Sequence, residues 1–374
     1  MTTAIAKAAS GEEKQAALKK TAGRSKQSAG LATLLTATKT IELRLLSLDF
    51  ESGDLLRTIA LDTIQLPEAI HPLNSYASPT PVLDDSNIYC HFGENGTFCV
   101  DCKSGKVVWH RKLPVIHNVG AGGSPMLYDD KLVLIQDGVK RQFVTALDKR
   151  TGASLWETDR PAMVDPDADM HKAFSTAIAI TDKLGRAQLI CLGPQWIAAY
   201  QPDSGKEIWR CYHGRGYSQA SRPLFADGVV YFSAAHSTLG MWAIRVDGSG
   251  DVSDTHVEWV IKKGTPIKPS PVLHDGLMFL IDDSGVATCI DVAAGAIVWA
   301  KRVGGDYSSS ALLAGGHVYF SSHDGKVTVI KPNRAYRVVA KNQLDGRIMA
   351  SPAAISDSLI MRTDKGLYRF RQQK

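Results

Sequence analysis

Cysteine is scarce in this chain. There are six in 374 residues, Cys90, Cys99, Cys102, Cys191, Cys211 and Cys289, and they show no paired metal spacing. That number excludes a disulfide framework, and the lone C-x-x-C of Cys99 and Cys102 lacks the second pair a zinc site needs. Cys289 falls at the same place in another repeat as Cys99, so small-residue packing accounts for both. No run approaches the roughly 18 to 20 apolar residues of a membrane helix, and Met1 to Ser10 shows no apolar leader or cleavage site. Neither an integral membrane segment nor a secretory signal is visible. Charge of one sign is also scarce: Lys plus Arg number 43 against 38 Asp plus Glu, a net of +5. Much of that excess sits early, in Lys7, Lys14, Lys19, Lys20, Arg24 and Lys26. The near-neutral body that follows has no basic stripe for phosphates, which excludes nucleic acid as the main ligand. Also missing are a G-x-S-x-G elbow, a phosphate-binding G-x-x-x-x-G-K and H-E-x-x-H. Gly120-Ala121-Gly122-Gly123 precedes a strand, not a helix, so it is expected to give a flexible turn and no phosphate cradle.

What is present is a repeat. An Asp, then Ser or Thr, then Gly, leads into a short apolar run ending in Trp. The copies pair Gly105 with Trp109, Gly152 with Trp156, Gly205 with Trp209 and Gly295 with Trp299, each Trp four residues after its Gly. Weaker copies have Arg57 in the Trp place after Gly53, Trp259 after an insertion at Asp247 to Gly250, and Tyr336 after Lys331-Pro332-Asn333. Hairpin geometry explains the pattern: Gly takes φ > 0 without steric penalty, and Asp with Ser or Thr caps the turn through backbone N–H groups. The Trp on the following strand is large enough to fill the wedge between neighbouring sheets, and is expected to be a packing residue.

Upstream of each turn a Ser-Pro or its equivalent opens a short strand. Examples are Ser78-Pro79, Ser124-Pro125, Arg222-Pro223, Ser270-Pro271 and Ser351-Pro352, with Ser175-Thr176 and Ser310-Ala311 as Pro-free copies. Pro suits the first residue of a strand, which can do without its N–H. Units of about 40 to 50 residues with four strands each mark propeller blades, and the lack of amphipathic helices between strands excludes a parallel α/β fold. The expected fold is therefore all-β, a propeller of four-stranded antiparallel blades, eight by preference and seven as the alternative. Residues 31–374 form one domain, in which the first blade lacks its innermost strand and the last its outermost. Residues 1–30 read as a polar segment, disordered or forming a short helix over Glu12 to Lys20.

The Asp, Ser/Thr-Gly, Trp pattern with its Ser-Pro opening resembles the pyrroloquinoline-quinone-type propeller repeat. That superfamily holds quinoprotein alcohol dehydrogenases and also non-catalytic members, such as the lipoprotein of the outer-membrane β-barrel assembly machinery. Ile70 to Pro81, His91-Phe92-Gly93 and Gly250 to Val257 resemble an uncharacterised planctomycete-type bacterial group. The catalytic branch implies two adjacent cysteines under the quinone, a Trp platform, a calcium held by Glu and Asn, and an Asp base. This sequence has no adjacent cysteines, and its tryptophans are spoken for. No cofactor is expected, and pyrroloquinoline quinone with calcium is disfavoured. The resembling families are commonly periplasmic or secreted.

In such a fold the loops before the innermost strands converge at one mouth of the channel. The polar residues there are His71, Asn74, Ser75, His117 with Asn118, His171, Tyr217, Arg222, Lys268, Asp306 with Tyr307, and Arg347. They are candidates for holding a polar or anionic ligand, with Arg222, Lys268 and Arg347 as cations and His71 or His171 exchanging a proton. A solvated rim without a dedicated ligand is the competing expectation. Asp165, Asp167 and Asp169 alternate as calcium ligands can, but a solvated acidic loop explains them. Asp247 to Glu258 matches a calcium-binding loop in part, though Val252 stands where a Gly is required. The expected role is a monomeric binding or scaffold protein engaging a protein partner or a small polar ligand. The alternatives are a quinoprotein-like oxidoreductase acting on an alcohol or sugar, and a hydrolase or lyase using the His residues of the mouth.

Overall fold

The structure is a computed structural model describing residues 1–22, 35–236 and 240–371. Contacts divide the chain into two compact units, Met1–Thr181 with Gly185–Ser218, and Asp182–Leu184 with Gln219–Lys374. Each contains four antiparallel sheets among its described residues. The fold is a β-propeller, and its repeated sheet is the four-stranded blade that the sequence repeat specifies.

One blade shows why. Val272–His274, Leu277–Ile281, Val286–Asp291 and Ala296–Arg302 lie side by side in sequence order. The second strand is buried along its whole length and the third nearly so. On the fourth strand Trp299 is the residue that is buried. The same holds for Trp109 in Val107–Arg111 and Trp156 in Ser154–Asp159. Each Trp faces a small residue on the third strand: Cys99 opposite Trp109, Ala146 opposite Trp156, Cys289 opposite Trp299. The cysteine positions are thus packing positions, and Cys99 and Cys289 are fully buried. Trp209 is also fully buried, whereas Trp259 is half-buried.

The tryptophans also link consecutive blades. Trp109 Nε1 donates to Lys149 O at 3.0 Å, Trp156 to Pro202 O at 2.8 Å, Trp259 to Val292 O at 2.9 Å and Trp299 to Asn333 O at 3.3 Å. In every case the acceptor lies in the turn of the following blade. In three of these turns a glycine meets the indole face: a Cβ on Gly152 would come within 2.7 Å of Trp109, one on Gly205 within 2.4 Å of Trp156, and one on Gly295 within 2.5 Å of Trp259. Gly therefore serves twice, for its positive φ and for the space it leaves. Arg57 takes the same part against Gly105 and donates to Lys103 O at 3.1 Å.

The strand openings form a second link. Thr80 N–H donates to Ser124 Oγ and Ser124 N–H to Thr176 Oγ1, at 2.9 and 3.0 Å. Thr80-Pro81, not Ser78-Pro79, therefore occupies the opening position of its blade; Ser78 Oγ instead bonds Asn74 in the loop before it.

The N-terminal reading needs correction. The expected helix runs over Gly11–Ala22, but Thr2–Ala8 is a strand, paired antiparallel with Thr38–Leu48 to make a three-stranded first sheet with Leu55–Gln65. The alternation in Thr-Thr-Ala-Ile-Ala-Lys-Ala is too weak in apolar bulk to read as a strand; the neighbouring Ile41 and Leu43, fully buried, provide the partner surface. The last sheet, Ala353–Ile355, Ser358–Arg362 and Leu367–Arg371, has three strands among the described residues.

Candidate functional site

In the first unit the predicted residues bond within their own loops or to the next loop. Asn74 donates through Nδ2 to Val119 O and Ala121 O, at 3.0 and 3.1 Å. It thereby staples the loop before one blade to the loop before the next. His71 Nδ1 accepts from Leu73 N–H at 3.1 Å, and Ser75 Oγ from Ala77 N–H at 3.2 Å. The glycines after Val119 are tightly packed, contrary to the expected flexible turn. A Cβ on Gly120 would meet Asn74 and Ile70 at 2.8 Å, and one on Gly122 would meet Phe174 at the same distance.

His117 is buried, tilted against Phe174 with ring centroids 5.4 Å apart. Burial, with His91 and Lys172 nearby, pushes its pKa down to about 3, so it is neutral at ordinary pH. It borders a hollow shared with Glu68, Ile70, Tyr76, Asn95 and Gly120, about 260 Å³ including open solvent. That is below the size of most small-molecule pockets.

His171 Nε2 bonds Asp165 O at 2.5 Å. The acidic loop is not simply solvated. Asp165 is buried, accepts from Asp167 N–H at 3.0 Å and pairs with Arg215; these contacts hold its carboxyl below its ordinary value. Asp167 in turn accepts from Asp169 N–H. These carboxylates cap a turn, and no group of three or more His, Cys, Asp or Glu placed to hold a metal occurs among the described residues. Tyr217 is half-buried.

Sequence reasoning missed the most buried charges of this unit. Arg160 and Asp137, both nearly inaccessible, form a bidentate pair with Nε–Oδ1 at 3.0 Å and Nη2–Oδ2 at 2.8 Å. Arg160 Nη1 also donates to Cys191 O at 2.8 Å. Burial opposes the charge on Arg160, but Asp137 outweighs it and holds the guanidinium protonated. Two more buried histidines, His91 and His213, are pushed by burial down to about 4.

In the second unit Lys268, Asp306 and Arg347 meet partners on the hairpin between the second and third strands of their own blade. Lys268 pairs with Asp283, whose Oδ2 accepts from Ile267 N–H at 2.6 Å. Asp306 O accepts from His323 N–H at 2.8 Å, and His323 Nε2 bonds Ser308 Oγ at 2.9 Å. Arg347 N–H donates to Asp364 Oδ1 at 2.7 Å. Asp283, His323 and Asp364 are equivalent positions, just past the second strand. His323 escaped the sequence reading because it lies on that hairpin and not before a Ser-Pro. Burial lowers its pKa, with Arg347 and Lys268 adding to the effect against Asp306 and Asp283. Tyr307, its neighbour in the loop, is buried in the core shared with Phe279 and Phe320. Arg222 is solvent-accessible, yet crowded enough that burial depresses its pKa.

Repeated blades of this kind, with Trp109, Trp156, Trp259 and Trp299 reaching into the turns that follow them, define the pyrroloquinoline-quinone-like class of β-propeller. Residues 44–301 and 248–371 match the family described as outer membrane protein assembly factor BamB, and the chain belongs to that family. A curated relative, the outer membrane protein assembly factor BamB of Yersinia pestis, is 21% identical over 209 residues, 51% of this chain and 50% of the relative. The matched stretch thus spans about half the length of that relative. Among solved structures, BamB from Moraxella catarrhalis superposes with a TM-score of 0.64 at 12% identity, covering 90% of this chain and 92% of that one. A europium-containing methanol dehydrogenase gives 0.59 at 13% identity, over 90% and 80%. The quinohemoprotein alcohol dehydrogenase from Comamonas testosteroni gives 0.59 at 13%, over 90% and 68%. At these identities the structures share the fold with this chain.

Proposed function

We propose that this chain is a non-catalytic propeller that binds another protein through the loops ahead of its first strands. The observation that carries the reading is the way the candidate residues are spent. In the first unit Asn74 ties its loop to the next, while Ser75 and His171 brace their own loops. In the second unit Lys268 and Arg347 tie their loops to a hairpin of their own blade, so that each unit by itself presents rigid, polar loops for docking. Membership of the family of outer membrane protein assembly factor BamB supports the same reading.

The residues present do not fit a quinone. The sequence has no adjacent cysteines, and Trp109, Trp156, Trp259 and Trp299 are committed to the following turns through their indole N–H groups. A place outside the cytoplasm agrees with the families the repeat resembles; cell fractionation tests it, and gel filtration tests the expected monomer.

The central experiment uses two probes. Pyrroloquinoline quinone with calcium should give neither a bound chromophore nor a rise in Tm; either result would overturn the non-catalytic reading. A photo-crosslinking residue at Ser75 or Lys268 should trap a protein partner in cells, whereas one at Leu155, on an outer strand, should not.

A further inference from the structure

The first strands of the four sheets in the second unit open at Arg222, Ser270, Ser310 and Ser351. These residues form a continuous row. Arg222 N–H donates to Ser270 Oγ at 2.9 Å, Ser270 N–H to Ser310 Oγ at 3.0 Å, and Ser310 N–H to Ser351 Oγ at 2.9 Å. Each hydroxyl oxygen is thereby fixed by the backbone of the preceding blade. Its own proton donates to no group among the described residues, so the row offers donors whose acceptors must come from elsewhere.

Cations stand at both ends. Arg222 takes the place that Ser or Thr holds in the neighbouring blades. Its guanidinium has no carboxylate partner among the described residues, although burial lowers its pKa. Arg347, four residues before Ser351, touches Met349 Sδ at 3.1 Å through Nη2 and likewise has no acid on its guanidinium among the described residues. Lys268 is neutralised by Asp283. Asp306, exposed in the loop that leads to Ser310, is the opposing charge. A cation in a crowded setting is costly to leave without a counter-charge.

We propose that this row seats an extended acidic segment of a partner protein, its carboxylates pairing with Arg222 and Arg347 and its remaining oxygens accepting from Ser270, Ser310 and Ser351. The inference rests on the protein-binding reading above and names the chemistry of the partner. A small anion satisfies it less well, because the two guanidinium groups belong to the first and fourth sheets of the unit, and a polypeptide can reach both while its oxygens follow the row between them.

The test is fluorescence anisotropy of the full chain with a labelled ten-residue glutamate peptide and, as control, the same length of glutamine. The glutamate peptide should bind and the glutamine peptide should not. Arg222→Gln and Arg347→Gln should each weaken binding about tenfold or more. Arg222→Lys should retain most of it, Asp306→Asn should tighten it, and added salt should weaken it. Absence of glutamate-peptide binding, or binding indifferent to both Gln variants, overturns the proposal. So does displacement by inorganic phosphate or citrate at concentrations where sulfate-matched ionic strength has no effect, which would make the row a small-anion site. Circular dichroism of each variant separates loss of binding from loss of fold. Crosslinking of a natural partner that survives in both Gln variants would leave the protein-binding reading standing while this inference falls.

Discussion

Gly205 lies beneath the indole of Trp156, in the turn of the following blade: a Cβ on Gly205 would fall 2.4 Å from Trp156 Cε3, and the same indole donates to Pro202 O at 2.8 Å. One side chain thus reads both the backbone and the missing side chain of its neighbour. Gly205 has φ +67°, so Gly205→Ala meets two penalties, left-handed backbone and overpacking. The expected loss is about 2–4 kcal/mol in denaturant unfolding. Gly53→Ala is the control, because Gly53 has φ +78° with nothing within 4 Å of a Cβ; it should cost only about 1 kcal/mol. Equal losses would mean that the indole contact carries nothing.

Trp156→Phe keeps most of the buried ring and removes the donor to Pro202. It should cost about 1–2 kcal/mol, with the hydrogen bond and the lost ring volume both contributing. Trp299→Ala empties the wedge between Phe279 and Tyr336 and should cost about 3–5 kcal/mol. Urea midpoints with an unchanged m-value would establish both.

The Asp137–Arg160 pair makes a sharper forecast. Asp137→Ala strands a buried guanidinium and should cost about 3–5 kcal/mol. The double replacement Asp137→Leu with Arg160→Met removes both charges and should be less harmful than either single change. A double variant worse than both singles would show that the pair does more than balance its own desolvation.

The buried histidines set an acid limit. His91 and His213 titrate near 4 and His117 near 3 in the folded chain, against about 6.5 when unfolded. Between these values the unfolded chain binds protons that the folded chain refuses, so stability is complete above pH 6.5 and is lost as pH falls toward 4. Each histidine should contribute on the order of 1–3 kcal/mol to that loss. Unfolding midpoints at pH 7.5, 5.5 and 4.5 should decline, and His117→Asn should flatten the decline.

The blade was legible in the sequence because its turn chemistry is local: Gly, its capping Asp and the Trp four residues later sit within one hairpin. The partner of each Gly was not legible. Gly152 packs on Trp109 from the preceding blade, and nothing in the spacing inside one repeat distinguishes that from contact with Trp156. The row of hydroxyls was half visible. The Ser-Pro motif marked its members, but Pro explained the motif by itself, so the Ser had no assigned task and Thr80 was passed over for Ser78. Asp137 and Arg160 carry no periodic signal at all, being 23 residues apart, one at the end of a strand and the other in the loop after another. The bonds the candidate residues make within and between loops were not legible, because a loop polar group that anchors its neighbour looks in sequence like one that waits for a ligand.

The Trp-to-turn link has a direction. At the junctions made by Trp109, Trp156 and Trp259, one blade presents a donor and an aromatic face and the next a carbonyl with a bare glycine, so the contact is heterologous, head to tail. Modules joined this way are interchangeable in principle: a blade duplicated or deleted between two such junctions leaves them chemically matched. Stability then accrues by nearest neighbours, as in a one-dimensional chain. Gene-level changes in blade number are therefore tolerated where Trp, Gly and the accepting carbonyl travel together, and penalised where a cut falls between them.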